Sequence, residues 1–149
     1  SYMKLVMRTL LVLVALHVAG IGHAAGVLPE VEVWKSPNCG CCNKWIAHLE
    51  EAGFSVIAHN TARVATVRER LGMPHQYAAC HTARVDGYLV EGHVPASDIK
   101  RLLEERPSAT GLAVPGMPVG SPGMEASYSE PYQTLLIGKS GNPTVFSEH

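Results

Sequence analysis

The chain has 149 residues, of which 46% are hydrophobic, and its formal net charge at pH 7 is −1. This length is typical of a single domain. The 12 Lys and Arg residues are scattered along the chain, so the composition indicates neither a nucleic-acid-binding surface nor a polybasic patch for lipid.

Residues 1–24 have the pattern of a secretory signal peptide. Basic residues precede an apolar run at 10–18, and Gly22 and Ala24 place small residues where a signal peptidase cleaves. The run is short for a membrane span, although an uncleaved N-terminal anchor is the alternative interpretation. We therefore predict an exported, periplasmic protein with one domain at 25–149 and no membrane contact after cleavage.

The predicted domain begins with a strand, a helix and a second strand. Residues 30–35 (EVEVWK) alternate polar and apolar side chains, which is typical of a half-buried strand. Residues 42–53 carry apolar side chains at helical spacing and end at a glycine. Residues 54–59 (FSVIAH) form the second predicted strand.

A second helix, a hairpin and a third helix follow. Residues 62–74 (ARVATVRERLGMP) show helical spacing and end at glycine and proline. Two strand-like segments in residues 81–95 meet at Asp86-Gly87, a strong hairpin signal. The third helix lies between Pro95 and Pro107.

The order of these elements predicts an α/β domain of the thioredoxin-like class, with a strand-helix-strand unit followed by a hairpin and a closing helix. Residues 108–131 are rich in Gly, Pro and Ser and have no period, so we predict an added Gly/Pro/Met loop. A flexible linker is the alternative for this segment. Residues 132–146 predict a C-terminal hairpin around the sequence KSGN.

Three cysteines occur within four residues, Cys39, Cys41 and Cys42. A thiolate at a helix N-terminus has a lowered pKa and is a better nucleophile and metal ligand. Cys39 occupies that position in the predicted fold, and Cys42 returns to the same side of the helix. Cys41 can join them only if the first turn is irregular, which we expect Gly40 to permit. Three thiols in one turn suit Cu(I).

A fourth thiol, Cys80, lies in the loop before the predicted hairpin. The predicted fold brings this loop against the cysteine turn, although a small buried cysteine is the alternative. His81 adjoins Cys80, and His93 ends the hairpin, so both are candidate copper ligands as well as ordinary core or surface histidines. His48 falls on the polar side of the first helix, and we expect it to be solvated.

Two methionines, Met117 and Met124, each follow a glycine in the segment PGMPVGSPGM. Methionine is ordinarily a core residue, but these two lie in a polar loop with few apolar neighbours. Thioethers are good Cu(I) ligands, so we predict that both contribute to the metal site. Met73 ends the second helix and is expected to pack in the core.

The motifs CGCC-KW, CHTARVDGYLVEGHVPASDI and GLAVPGMPVGSPGM occur in this order. Over about 31–146 the chain resembles a bacterial family of exported metal-binding proteins, known as a domain of unknown function, that includes the copper-resistance protein CopG. The chain differs from the family at Ala62 and Arg63, where members often carry acidic residues. It implies a thioredoxin-like fold, an exported location, copper handling, thiol ligands at Cys39, Cys41, Cys42 and Cys80, and candidate ligands at Met117 and Met124.

Our leading hypothesis is a periplasmic copper-binding protein of copper resistance that holds Cu(I) through cysteine thiolates. Bridging sulfurs allow more than one copper ion, and imidazole, which accepts Cu(II), allows the site to cycle between the two oxidation states. The protein would then be a copper oxidoreductase, and its partners would be copper ions and other periplasmic copper-handling proteins.

Two other functions remain open from the sequence. Cys39 and Cys42 have the C-x-x-C spacing of a thioredoxin-like thiol–disulfide oxidoreductase. A structural zinc module with four cysteine ligands is the third hypothesis, although such sites usually have two separated ligand pairs.

Overall fold

The structure is a computed structural model that describes residues 26–149. The predicted signal peptide at 1–24 lies outside the described residues. No helix within the described range is long and apolar enough to cross a membrane.

Residues 26–149 form a mixed α/β domain with a seven-stranded sheet, three α-helices and one short 3₁₀-helix. The elements are β1 (Val31–Lys35), α1 (Gly40–Glu51), β2 (Val56–Asn60), α2 (Val64–Leu71), the 3₁₀-helix (His75–Tyr77), β3 (His81–Val85), β4 (Tyr88–Gly92), α3 (Ala96–Glu105), β5 (Gly111–Val114), β6 (Gln133–Ile137) and β7 (Pro143–Glu148). The strand-helix-strand unit, both hairpins and the three helices are where the sequence predicted them.

The strands lie in the order β2-β1-β3-β4-β5-β6-β7. The pairs β1–β2 and β4–β5 are parallel, and the remaining neighbours are antiparallel. The tight turn between β3 and β4 has positive φ at Asp86 and Gly87, as a two-residue hairpin turn requires. This turn sets the register that brings the start of β3 and the end of β4 together, with Thr82 opposite Glu91.

Strand β5 was not predicted, because the sequence indicated a loop throughout 108–131. The four residues of β5 are all buried between β4 and β6, and so short a segment shows no period of its own. Gly111 fits this place because a Cβ there would lie 1.8 Å from the carbonyl oxygen of Leu89. Pairing on both sides therefore determines this strand, rather than local propensity.

The sheet is covered on both faces. Val31, Ala83 and Val90 lie in one core cluster with helix residues Trp45 and Ile99. Because successive side chains in a strand point to opposite faces, Leu89 belongs to the other face, where it packs in a second cluster with Met73, Tyr77, Ala113 and Ile137. The expected packing role of Met73 is confirmed by its 2% exposure.

Candidate metal centre

Helix α1 begins directly after Cys39. Cys39 is the N-cap residue, with an extended backbone (φ −81, ψ 92), and its sulfur accepts a hydrogen bond from the Cys42 N–H at 3.3 Å. The preceding turn is ordered by Lys35, whose Nζ donates to the Ser36 carbonyl and to Asn60 Oδ1, each at 2.9 Å. The free N–H groups and dipole of the first turn favour a thiolate at this position.

The expected irregularity at Gly40 is wrong. Gly40 is the first residue of a regular helix and is not among the glycines with positive φ. Cys41 nevertheless lies beside Cys39, with 3.5 Å between their Sγ atoms. Because Cys39 lies outside the helix in an extended conformation, its side chain can turn back over the first turn and reach Cys41.

Cys39 and Cys42 form a disulfide in this structure, whereas Cys41 and Cys80 are free of disulfide bonds. A metal is bound by the thiolate form of cysteine. A site that uses all four sulfurs therefore requires the Cys39–Cys42 pair to be reduced first.

The structure places Cys80 where the sequence predicted it. The chain runs from the 3₁₀-helix past Ala79, which forms a parallel bridge with Gly116, and reaches Cys80 immediately before β3. The Sγ atoms of the four cysteines all lie within 4.8 Å of one another. Two segments separated by 37 residues between Cys42 and Cys80 therefore meet in one sulfur cluster.

Two buried imidazoles adjoin this cluster. His81 and His93 are both fully buried, and their ring nitrogens Nδ1 and Nε2 lie 3.3 and 2.9 Å from Cys80 Sγ, respectively. His93 Nδ1 lies 2.7 Å from the Pro122 carbonyl and must donate to it, because a carbonyl only accepts. In the neutral ring, Nε2 therefore presents its lone pair towards Cys80.

The pKa values of this region favour neutral side chains. Burial, with a smaller contribution from Cys41, raises the pKa of Cys80 to about 12. Burial, followed by the neighbouring His93, lowers the pKa of His81 to about 3, and burial also lowers the pKa of His93. In the absence of a cation, a protonated thiol and neutral imidazoles are thus favoured, and metal binding would displace the thiol proton.

The donor atoms of this region fit copper. Two groups of potential metal ligands share Cys80: the four cysteines, and Cys80 with His81 and His93. Both consist of sulfur and imidazole donors without a carboxylate, which is a soft donor set suited to Cu(I). Within residues 26–149, His81 Nε2 is buried without a hydrogen-bond partner. The His81 nitrogen that faces Cys80 Sγ is Nδ1, so Nδ1 is the atom that His81 offers to a metal ion in the cluster, and Nε2 is directed away from it.

The Gly/Pro/Met loop lies over the cysteine turn. Met124 and Cys41 line the same cleft of about 400 Å³, together with Lys44 and Tyr128. Gly123 makes this close approach possible, because a Cβ there would lie 2.6 Å from the Cys41 carbonyl oxygen. The structure therefore brings Met124 next to the sulfur cluster.

Met117 is placed less directly. Its side chain is 50% exposed, and it directly follows Gly116, the residue bridged to Ala79. This bridge is isolated, and Met117 and Cys80 are each the next residue after one of its two partners. Met117 therefore lies at the rim of the site.

The expectation that His48 is solvated is wrong. His48 is half-buried, and its Nε2 accepts the Ala96 N–H at 3.0 Å. Burial lowers the pKa of His48, in keeping with its role as a neutral acceptor. Ala96 begins α3, so His48 satisfies one of the free N–H groups at that helix end.

A buried ion pair near Cys80 was not predicted from the sequence. Arg68 Nε and Glu91 Oε1 lie 2.6 Å apart, and the Glu91 side chain is completely buried. The available signal was a glutamate directly after the apolar residues Leu89 and Val90 of a strand, because an ionised residue is almost never fully buried unless it is paired.

The chain is similar to known proteins over most of its length. The family model described as "Protein of unknown function, DUF411" matches residues 77–124. Two solved structures, described as forms 2 and 1 of the copper resistance protein CopG, are each 47% identical to the chain. In both comparisons the aligned region covers 82% of this chain and 98% of the CopG chain, and the TM-scores are 0.78 and 0.77. No curated protein matches the chain.

Proposed function

The chain belongs to the family of the copper resistance protein CopG, and on that premise we propose that it is a periplasmic copper-binding protein that holds Cu(I) in a cysteine-thiolate site. The observation that carries the proposal is the sulfur cluster, in which four cysteines from two distant segments present their Sγ atoms within 4.8 Å of one another. Soft thiolate ligands select Cu(I) over harder ions.

The proposed ligands provide more soft donors than one copper ion coordinates, so the site is suited to more than one copper with bridging sulfurs. The cysteines supply thiolates from the helix start and from the loop before β3. The imidazoles are fully buried, Met124 is partly buried and Met117 is half-exposed. The proposed metal ligands are Cys39, Cys41, Cys42, Cys80, His81, His93, Met117 and Met124.

We further propose that the site cycles copper between Cu(I) and Cu(II), which would make the protein a copper oxidoreductase. Thiolates stabilise Cu(I), and imidazole also accepts Cu(II). The two histidines that adjoin Cys80 are the support for this proposal, because they put both kinds of ligand at one place.

The thioredoxin-like fold and the exported location belong to the same proposal. The strand order β2-β1-β3-β4, with β1 parallel to β2 and antiparallel to β3, supports the fold assignment. The cysteine turn at the N-terminus of α1 is also in the position that this class of fold uses for a dithiol. The signal-peptide pattern at 1–24 supports export.

The test is an anaerobic Cu(I) titration of the reduced protein against a competing Cu(I) chelator, with metal content and thiolate-to-copper absorption as readouts. We expect tight binding of more than one copper per chain. The same protein with its Cys39–Cys42 disulfide intact should bind less copper. Equal binding in the two forms would contradict a site that uses all four sulfurs.

A thiol–disulfide oxidoreductase is the second candidate function, and the Cys39–Cys42 disulfide at the start of α1 favours it. Reduction of insulin disulfides by the reduced protein is the assay. Activity that survives both Cys41→Ser and Cys80→Ser would support this candidate, because a dithiol exchange needs only the C-x-x-C pair.

A further inference from the structure

Ala79 immediately precedes Cys80, and both of its backbone polar groups are bound by buried side chains. The Ala79 N–H donates to Glu91 Oε1 at 2.8 Å. The Ala79 carbonyl accepts from Arg68 Nη2 at 2.7 Å. The residue before the fourth thiol is therefore fixed from both sides.

The two side chains that fix Ala79 also bind each other. Arg68 Nε donates to Glu91 Oε1 at 2.6 Å, and Thr82 Oγ1 donates to Glu91 Oε2 at 2.6 Å. The side chains of Arg68 and Glu91 are 7% and 0% exposed. This unit, which we name the Ala79 clamp, joins α2, β3 and β4 to the loop that carries Cys80.

Stability alone does not account for the Ala79 clamp. Burying two charges costs solvation energy, and replacing a buried ion pair with apolar residues of similar size is often neutral or stabilising. What an apolar pair cannot supply is a donor and an acceptor for the two peptide groups of Ala79. The charged pair therefore specifies the path of the chain at this residue.

The end of β4 presses on the same residue. Gly92 has a φ of 73°, and a Cβ there would lie 2.6 Å from Ala79 Cβ and 2.5 Å from the Val114 carbonyl oxygen. Ala79 therefore has little room to move, and Cys80 inherits that placement.

We propose that Glu91 and Arg68 are positioning residues of the metal site, which hold the Cys80 thiol towards Cys41 and His93 by clamping Ala79. The inference rests on the proposed function for the identity of the metal. The placement of Cys80 itself can be measured without any metal.

The test uses the double variant Arg68→Met/Glu91→Leu, in which apolar side chains of similar length replace the charged pair. In reduced, metal-free protein, we expect iodoacetamide to modify Cys80 severalfold faster than in the unchanged protein, while Cys41 keeps its rate. Mass spectrometry of peptides separates the two thiols. Cu(I) affinity should fall about 10- to 100-fold, the usual range for residues that orient a metal ligand without binding the metal themselves.

Arg68→Lys is the second variant, and it guards against a double variant that does not fold. Lysine keeps the charge opposite Glu91 but lacks the fork that reaches both Glu91 and the Ala79 carbonyl. We expect a smaller rise in Cys80 modification with little change in Tm.

Asp98→Asn is the matched control. Asp98 is also a buried carboxylate, but it accepts hydrogen bonds from Thr134, Ser147 and His149 rather than from the Cys80 loop. This change should lower the Tm and leave the modification rate of Cys80 unaltered.

Unaltered Cys80 modification and Cu(I) affinity in a folded double variant would overturn the inference, as would an unaltered Arg68→Lys variant if the double variant does not fold. If the unchanged protein binds no copper, the proposed function fails. The Cys80 modification rates still decide the role of the Ala79 clamp in that case.

Discussion

The cysteine turn at the start of α1 and the group formed by Cys80, His81 and His93 lie side by side in one cluster, but the chain builds them differently. Cys39, Cys41 and Cys42 come from one helix start, so their spacing is set by the local geometry of the first helical turn. Cys80 and its two histidine neighbours come together only when β3, β4 and the loop before them pack.

This difference separates the tasks of the two sides. At the helix start Cys39 and Cys41 are partly exposed and Cys42 is fully buried, and the free N–H groups of the first turn favour a thiolate at the N-cap residue Cys39. The other side combines the partly exposed Cys80 with two fully buried imidazoles, and burial raises the pKa of the Cys80 thiol and lowers the pKa of His81. Changes in the packing of the sheet should therefore disturb the Cys80 side and leave the cysteine turn intact.

The largest expected effect comes from removing one sulfur from either side. Cys41→Ser and Cys80→Ser should each weaken Cu(I) binding more than about 100-fold, beyond the range for outer-shell residues, because both sulfurs belong to one cluster. Competition with a Cu(I) chelator measures the loss.

His59→Gln is the control for these two variants. His59 is exposed and paired with Glu32 on the sheet surface, so its loss should leave Cu(I) affinity unchanged. If either cysteine variant kept its full Cu(I) affinity, the cysteine turn and Cys80 would not form one copper site.

A glycine pair sharpens the comparison through stability. Gly92→Ala should destabilise the fold by about 1–3 kcal/mol or more, since it adds backbone strain at a positive φ and a contact of 2.6 Å with Ala79. Gly40→Ala adds a Cβ at the start of α1 with nothing within 4 Å.

Denaturant unfolding measures both glycine variants. Gly40→Ala should be neutral, or stabilising by up to about 1 kcal/mol, because alanine is the better helix former. Equal destabilisation by the two substitutions would contradict the view that Gly92 is tightly packed against Ala79 whereas Gly40 is free of such contacts.

The two methionines provide a smaller contrast. Met124→Leu should weaken Cu(I) binding severalfold, because Met124 lines the cleft with Cys41. Met117→Leu should have a weaker effect, because Met117 is half-exposed at the rim. Leucine keeps the volume and removes the sulfur, so Tm should stay unchanged in both. A stronger effect at Met117 would reverse the assignment of the two thioethers.

The smallest effect concerns pH and helix α3. Burial lowers the pKa of His48 below its ordinary value of 6.5, although Glu125 and Glu51 oppose this shift. The unfolded chain therefore binds a proton at higher pH than the folded chain, so this histidine makes stability decrease as pH falls below 6.5.

His48→Gln removes this titration and keeps an acceptor for the Ala96 N–H. The stability of the variant relative to the original protein should increase between pH 7 and pH 5, as measured by urea unfolding at each pH. An unchanged difference over that range would show that His48 does not titrate differently on folding.

Most of the helices and strands could be predicted from local signals in the sequence. The alternation in EVEVWK, the helical spacing after the cysteine turn and the Asp86-Gly87 dipeptide each act over a few residues, and the structure has the expected element at each. The four residues of β5 have no such signal, because their strand conformation comes from pairing with β4 and β6.

The candidate site could likewise be predicted only in part. The proximity of the four cysteines and of His81 and His93 was predicted from the order of elements. The extended N-cap conformation of Cys39, the hydrogen bond of His48 to α3 and the burial of Glu91 were not predicted. Each depends on backbone conformation or on partners far along the chain, which spacing does not reveal.

We propose above that the cysteine turn and Cys80 bind copper as one site. The most direct measurement is the alkylation of the reduced, Cu(I)-loaded protein, with the modified cysteines counted by mass spectrometry as copper is added. We expect Cys39, Cys41, Cys42 and Cys80 to become protected together. Protection of the three turn cysteines while Cys80 stays as reactive as in the metal-free protein would contradict it.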